Sequence, residues 1–320
     1  MKVLITGATG FLGQRLAMDL LRQGDVEIVT MSRKPVFATA TKHYCCDLGF
    51  TNPDSKHYSF FSNVCQLEKP DVIFHLAGNP LSRLDEQDPH SILVDNIIGT
   101  QKVLHYAPQN CRVVLASTVI VYGDWLLRDK ADAQYEEPFR TEPTSVYGMT
   151  KRAAESLVEI YTSSERVNGV SLRLCATIGP NLTHGVIKDF MAKLKSPSEH
   201  LEILGDAPGS TKPYCHIDDA ISALKLVGFS DLSGEFNVVP DDTITIEKLA
   251  YCVMDNFNIH KPIKWLGEGA NWKGDNRAIQ ISNKKLKDCG WNPSFPKSED
   301  AIGDVVRSFY NEDTVHTDNK

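Results

Sequence analysis

Apolar positions in the first half of the chain fall in short runs, and stretches with helical spacing lie between them. Lys2–Thr6 carries Val3, Leu4 and Ile5 without a polar break, which predicts a strand buried on both faces. Further runs cover Val26–Met31, the residues just before Cys46, Asp71–Leu76, Arg112–Ala116 and Gly169–Leu174. Helical spacing marks the residues behind Gly13, Ile92–Ala107 and Ser145–Tyr161. Strands that alternate with helices predict a parallel sheet covered on both sides, and right-handed crossovers make it a doubly wound α/β sheet.

The pattern loosens after Gly179-Pro180. Helices are expected near Val186–Lys195, Ile217–Val227, Ile246–Asn256 and Asn283–Cys289, with a strand near Glu235–Val239 and a Pro-containing stretch over Ser196–Pro213. The expected organisation is a doubly wound domain over residues 1–178 and a smaller mixed α/β lobe over 179–310. The chain is expected to cross back to the first domain, and a polar, frayed tail is expected over 311–320.

Composition adds exclusions. The 320 residues suffice for a sizeable core, and 34 basic against 41 acidic side chains leave a net charge of −7 with no basic run. Nucleic acid and anionic membrane are therefore not expected partners. No stretch approaches the ~20 apolar residues of a membrane span, and the N-terminus runs straight into a strand, so a cytoplasmic protein is expected. The eight cysteines contain no C-x-x-C pair and read as small buried hydrophobes in a reducing compartment. The adjacent Cys45-Cys46 leaves a redox pair as the alternative.

Candidate chemistry begins at Gly7-Ala8-Thr9-Gly10-Phe11-Leu12-Gly13, between the first strand and its helix. Gly7 permits a tight turn, Gly10 lets a pyrophosphate approach the backbone, and Gly13 lets helix and strand pack closely. The helix N-terminus offers N–H groups and a positive dipole to the anion. The second strand ends in Ser32-Arg33-Lys34, where an acid would be expected to bind a free ribose 2′-hydroxyl. Ser32 and Arg33 suit a 2′-phosphate, which favours NADP over NAD; a solvated arginine beside an ordinary ribose is the alternative. Asp47, followed by Leu48, is placed to receive the adenine amino group, and Leu76-Ala77-Gly78 ends a strand where backbone and cofactor would approach.

Tyr147 and Lys151 stand at i and i+4 of a predicted helix and share one face. An ammonium favours phenolate and so equips the tyrosine for acid–base work. Thr118 ends a strand upstream and offers a hydroxyl to a substrate oxygen. Taken singly, each has a bland reading, as a surface helix pair or a turn threonine.

Together with Asp95-Asn96-Ile97-Ile98-Gly99-Thr100, Val121-Tyr122-Gly123, Pro143-Thr144-Ser145, Ile178-Gly179-Pro180, His216-Ile217-Asp218-Asp219 and Gly290-Trp291-Asn292-Pro293, these motifs give a resemblance along nearly the whole chain. It resembles an extended short-chain dehydrogenase/reductase of the nucleotide-sugar epimerase/dehydratase type. That resemblance implies a Rossmann domain, a small substrate lobe and catalysis by Thr118, Tyr147 and Lys151. It implies cofactor contacts at Gly7, Thr9, Gly10, Phe11, Leu12, Gly13, Ser32, Arg33, Asp47, Leu48, Leu76, Ala77, Gly78, Asn96, Tyr147 and Lys151. Substrate contacts are expected at Thr118, Lys212 and Arg277, with no metal, and a homodimer is expected through the helices after Ile92 and Ser145.

Departures narrow the chemistry. Dehydratases of this type carry Asp-Glu after the catalytic hydroxyl, but here Val119-Ile120 follow Thr118 and move no proton. Dehydration is thereby disfavoured, and so is decarboxylation. Ala176 replaces an Asn and Lys212 an Arg that relatives direct at the substrate. The leading expectation is an epimerase or 4-ketoreductase acting on a nucleotide-activated sugar. The alternatives are NADPH-dependent reduction of a non-sugar carbonyl compound and a non-catalytic dinucleotide sensor. The stretch Asp124–Arg140 is expected to form a loop over the site mouth.

Overall fold

The computed structural model describes residues 1–35, 42–52, 59–81, 88–127, 141–267 and 281–317. Its first half runs β1 (Lys2–Thr6), α1 (Phe11–Gln23), β2 (Glu27–Ser32), β3 (Lys42–Cys45), α2 (Phe60–Glu68) and β4 (Val72–His75). It continues through α3 (Pro89–Leu93), a π turn (Val94–Ile98), α4 (Gly99–Tyr106), β5 (Arg112–Thr118), a 3₁₀ segment (Val119–Leu127), α5 (Val146–Ser163) and β6 (Asn168–Leu174). The second half contains β7 (Ala176–Ile178), α6 (Val186–Lys195), β8 (Leu201–Ile203), β9 (Thr211–Lys212), β10 (Tyr214–His216), α7 (Ile217–Gly228) and β11 (Gly234–Val238). It closes with β12 (Ile244–Thr245), α8 (Ile246–Phe257), β13 (Ile263–Trp265), α9 (Lys284–Asp288) and α10 (Ser298–Thr317).

Seven strands form one sheet in the order β11-β6-β5-β4-β1-β2-β3, all parallel. This is the doubly wound, Rossmann-like arrangement that the alternating pattern predicts. Side chains of β1 go alternately to opposite faces. Val3 and Ile5 join one core with residues of α1 and α7, while Leu4 joins another with residues of α2, α4 and α5. Both faces are dry there, so Val3, Leu4 and Ile5 follow one another without a polar break. A third core unites α6, α8 and α10 with β8, and Phe11 packs against both it and the α1–α7 core.

The chain returns to the main sheet late, when β11 pairs along β6 from Gly234↔Val170 to Val238↔Leu174. Arg112 of β5 secures that return, donating from Nε to the Val227 carbonyl at 2.9 Å and from Nη2 to those of Val227 and Leu232.

Two expectations change. The helix expected over 92–107 starts at Pro89 and is broken by the π turn, whose wider winding accompanies complete burial of Asn96. Residues 311–317, expected in the frayed tail, continue α10. That helix is anchored by Ala301, Ile302, Val305, Val306 and Phe309, a helical stripe on the third core. The cysteines are all free thiols, but only Cys65, Cys111, Cys175 and Cys215 are buried; Cys46, Cys252 and Cys289 are half-buried and Cys45 is exposed. No helix among the described residues is long and apolar enough to cross a membrane. Of the stretch 124–140, residues 128–140 lie outside the described residues, so a loop over the site mouth is not addressed.

Candidate active site

The ends of β1, β2 and β4 open onto one cleft of about 250 Å³. It is lined by Gly7, Thr9, Gly10, Met31, Ser32, Arg33, Lys34, Cys46, Asp47, Leu48, Gly49, Leu76, Ala77, Gly78 and Asp95. A crevice beyond the carboxyl ends of parallel strands is where such sheets hold ligands. Gly7 sits at φ 71°, and a Cβ there would stand 2.6 Å from the Ala77 nitrogen. A Cβ on Gly13 would stand 2.3 Å from the Gly7 carbonyl oxygen. The turn therefore folds against β4 and α1 only as glycine. No side chain caps α1, whose N-cap is Gly10. A glycine cradle leading into a side-chain-free helix N-terminus fits a dinucleotide pyrophosphate.

The expected cofactor residues divide by position. Gly7, Thr9, Gly10, Ser32, Arg33, Asp47, Leu48, Leu76, Ala77 and Gly78 line the cleft together. Phe11 and Leu12 instead pack into the core beneath it, and Gly13 serves the turn. Asn96 is a brace. Its Oδ1 accepts from the Asn79 amide at 2.8 Å, and its Nδ2 donates to the Asn79 carbonyl at 3.1 Å and the Thr150 hydroxyl at 3.0 Å.

The polar floor of the cleft is already partly bonded. Asp47 Oδ1 accepts from the Gly49 amide at 3.0 Å. The Ser32 hydroxyl donates to the Lys34 carbonyl, so its proton is not directed at a ligand as the sequence suggested. Arg33 Nη1 lies 3.4 Å from Asp95 Oδ2. Sequence reasoning gave Asp95 no role of its own, because Arg33 and Asp95 are 62 positions apart and no local pattern joins them.

The second group of expected residues lies past Gly78, where a Cβ would approach Lys151 Nζ to 3.3 Å. Thr118 ends β5, and Ser145 caps α5 by accepting from the Gly148 amide at 3.1 Å, which sets Tyr147 in the first turn. The Thr118 hydroxyl is hydrogen-bonded to the Tyr147 phenol. Burial pushes that phenol up to about 12, and the bond to Thr118 opposes the shift. Lys151 Nζ donates to the Ala116 carbonyl at 2.9 Å. Burial pulls the ammonium down to about 8, partly countered by the Glu155 carboxylate.

Glu155 anchors the polar network beneath this group. It accepts from Ser117 Oγ at 2.6 Å and from Arg173 Nε and Nη2 at 2.9 and 2.8 Å. Arg173 Nη1 donates to the Tyr122 hydroxyl at 2.9 Å, which donates to Asn237 at 2.9 Å. Asn237 donates in turn to the Ser282 carbonyl. Ser117 and Thr118 are neighbours on β5, and Glu155 follows Lys151 by one helical turn, so the network holds both strand and helix. At the end of β4, buried His75 bridges the hydroxyls of Thr6 and Thr100 at 2.8 and 3.1 Å.

The expected substrate residues are not gathered as closely. Lys212 lies half-buried in the β9–β12 ribbon, opposite Ile244. Arg277 lies outside the described residues.

Comparisons with known proteins agree with this fold. The model of the NAD dependent epimerase/dehydratase family matches residues 3–238. UDP-glucuronic acid decarboxylase 5 of Arabidopsis thaliana is 26% identical over 308 residues, covering 93% of this chain and 86% of that protein. A UDP-galactose 4-epimerase of known structure superposes with a TM-score of 0.79 at 27% identity, covering 98% of this chain and 99% of the other. The UDP-glucose 4-epimerase of Thermus thermophilus, solved in complex with NAD, shares the fold with a TM-score of 0.80 at 22% identity. That match covers 96% of this chain and 99% of the other.

Proposed function

The chain belongs to the NAD dependent epimerase/dehydratase family, and from that premise we propose that it is an epimerase or 4-ketoreductase acting on a nucleotide-activated sugar. The observation that carries the proposal is the meeting of Thr118, Tyr147 and Lys151 beside a cleft built for a dinucleotide. The glycine turn and the N-terminus of α1 would hold the pyrophosphate, with Asp47 and Leu48 at the adenine. Once bound, the nicotinamide supplies a hydride acceptor or donor.

The remaining work falls to this chain. The Tyr147 phenol oxygen exchanges a proton with the sugar hydroxyl or carbonyl oxygen, and Thr118 orients that oxygen. The Lys151 ammonium stabilises phenolate and is placed to hold a ribose hydroxyl. Tyr147 on its own is a poor base, since burial favours its neutral form. The positive charges of Lys151 and of an oxidised nicotinamide oppose that preference. Val119 and Ile120 carry no titratable group next to Thr118, which supports epimerisation or ketone reduction over dehydration and decarboxylation.

NADP(H) is favoured over NAD(H) within the same proposal, because β2 ends in Ser32-Arg33-Lys34 without an acid. Lys212 and Arg277 are assigned to the diphosphate. A homodimer through α3–α4 and α5 is proposed as well, on faces that expose Leu93, Ile98, Met149 and Ile160.

The test is turnover on a panel of UDP-sugars and UDP-4-keto sugars, with catalytic NAD+ or stoichiometric NADPH, for the wild type and Tyr147→Phe. One sugar pair should interconvert, or one keto sugar should consume NADPH. Tyr147→Phe should abolish this while keeping dinucleotide affinity. Turnover of Tyr147→Phe near the wild-type rate would overturn the proposed role.

A further inference from the structure

Four charged residues line the adenosine end of the cleft, Arg33 and Lys34 against Asp47 and Asp95. The two carboxylates therefore oppose the pull of the two cations on a phosphate. The backbone beneath the two cations is fixed. The Lys34 carbonyl accepts from Ser32 Oγ and from His43 Nε2 at 3.1 Å, and the His43 ring is in turn hydrogen-bonded to the Thr30 hydroxyl at 3.0 Å. Asp47 is committed to the Gly49 amide. The Arg33 side chain, 63% exposed, is paired with Asp95, 15% exposed. Asp95 lies close against Gly49, its Oδ1 2.8 Å from where a Cβ would stand.

We infer that Asp95, by holding Arg33, sets the coenzyme preference of this cleft. The inference rests on reading the cleft as a dinucleotide site. A ribose with a free 2′-hydroxyl brings no charge, so the Arg33–Asp95 contact survives its arrival. A 2′-phosphate has to draw Arg33 off Asp95, and the carboxylate it leaves behind is a like charge in the same cleft. Asp95 thus opposes the phosphate twice, by occupying the guanidinium and by repelling the dianion. Burial already disfavours its charged form, and Arg33 is the group that favours it.

The experiment is calorimetric measurement of NADP+ and NAD+ affinity for the wild type, Asp95→Asn, Arg33→Met and the double variant. Asparagine keeps the shape of Asp95 and removes its charge. Asp95→Asn should raise NADP+ affinity relative to NAD+ by about two- to fivefold, the scale of one partly exposed ion pair. The gain should be clearly smaller in the Arg33→Met background, where only the repulsion by the carboxylate is left to remove, and it should shrink with added salt. A ratio unchanged in Asp95→Asn would overturn the inference, as would a gain just as large without Arg33. A wild-type protein that binds neither dinucleotide would instead sink the proposed function, and this inference with it.

Discussion

Breaking the Glu155–Arg173 pair should destabilise the whole molecule, and the structure sets the scale. The Glu155 side chain is fully buried and that of Arg173 is 4% exposed, so neither charge can turn to water. In Glu155→Leu the guanidinium loses two of its acceptors and stays buried beside Tyr122. Removing one partner of a buried pair costs about 3–5 kcal/mol. With an unfolding entropy of about 0.7 kcal/mol per degree for a chain of this length, the melting temperature should fall by about 4–7 °C.

Arg173→Met should cost a similar amount, because it strands the carboxylate. The double variant should cost far less than the sum. The Ser117 hydroxyl then loses its partner, at about 1–3 kcal/mol, while Tyr122 keeps Asn237 and Arg152, 3.7 Å from Glu155, keeps Glu159. Urea unfolding of all four proteins, followed by far-UV circular dichroism, closes the cycle. A coupling energy of about 3 kcal/mol or more is expected. Coupling below about 0.5 kcal/mol would refute the claim that the two charges are held by each other.

Two other perturbations have defined outcomes. Gly13→Ala forces a Cβ against the Gly7 carbonyl, so dinucleotide affinity should drop at least about tenfold and stability by about 1–3 kcal/mol; calorimetry showing wild-type affinity would contradict the cradle. Burial drives His75 down to about 3, below its unfolded value near 6.5, so the folded state keeps it neutral while the unfolded state takes up a proton. Stability should therefore decline as pH falls from about 6.5 towards 3, and denaturant midpoints for His75→Gln should decline less over that window.

Much of the sheet could be read from sequence because strands such as β1 and β5 hold short, unbroken apolar runs that lack the spacing of an amphipathic helix. The glycine turn was legible for a related reason. Only glycine fits where β1 and α1 meet β4, so the steric demand is printed in the residue type. The Thr118, Tyr147 and Lys151 set came from spacing on β5 and α5 together with a family resemblance. What stayed hidden was relational. Nothing local to Arg33 points to Asp95, and nothing local to Glu155 points to Arg173 or Ser117. The short strands β8, β9, β10, β12 and β13 have two or three residues each, too few for a period. The helical identity of residues 311–317 was masked by their polar composition, because the apolar stripe that starts α10 lies upstream.

The late return of the chain to its main sheet bears on how the protein is made. As it emerges from the ribosome, the nascent chain completes β5 and β6 well before β11 exists. Until residue 238 has been synthesised, β6 is an open edge, an invitation to pair with another chain. Arg112 meanwhile has no carbonyls from 227 and 232 to receive it, and Tyr122 has no Asn237. A fragment ending at residue 178 would carry every residue proposed for catalysis and still lack the strand that seals the sheet. The polypeptide must therefore wait for its own later half, and long-range closure of this kind makes for slow folding.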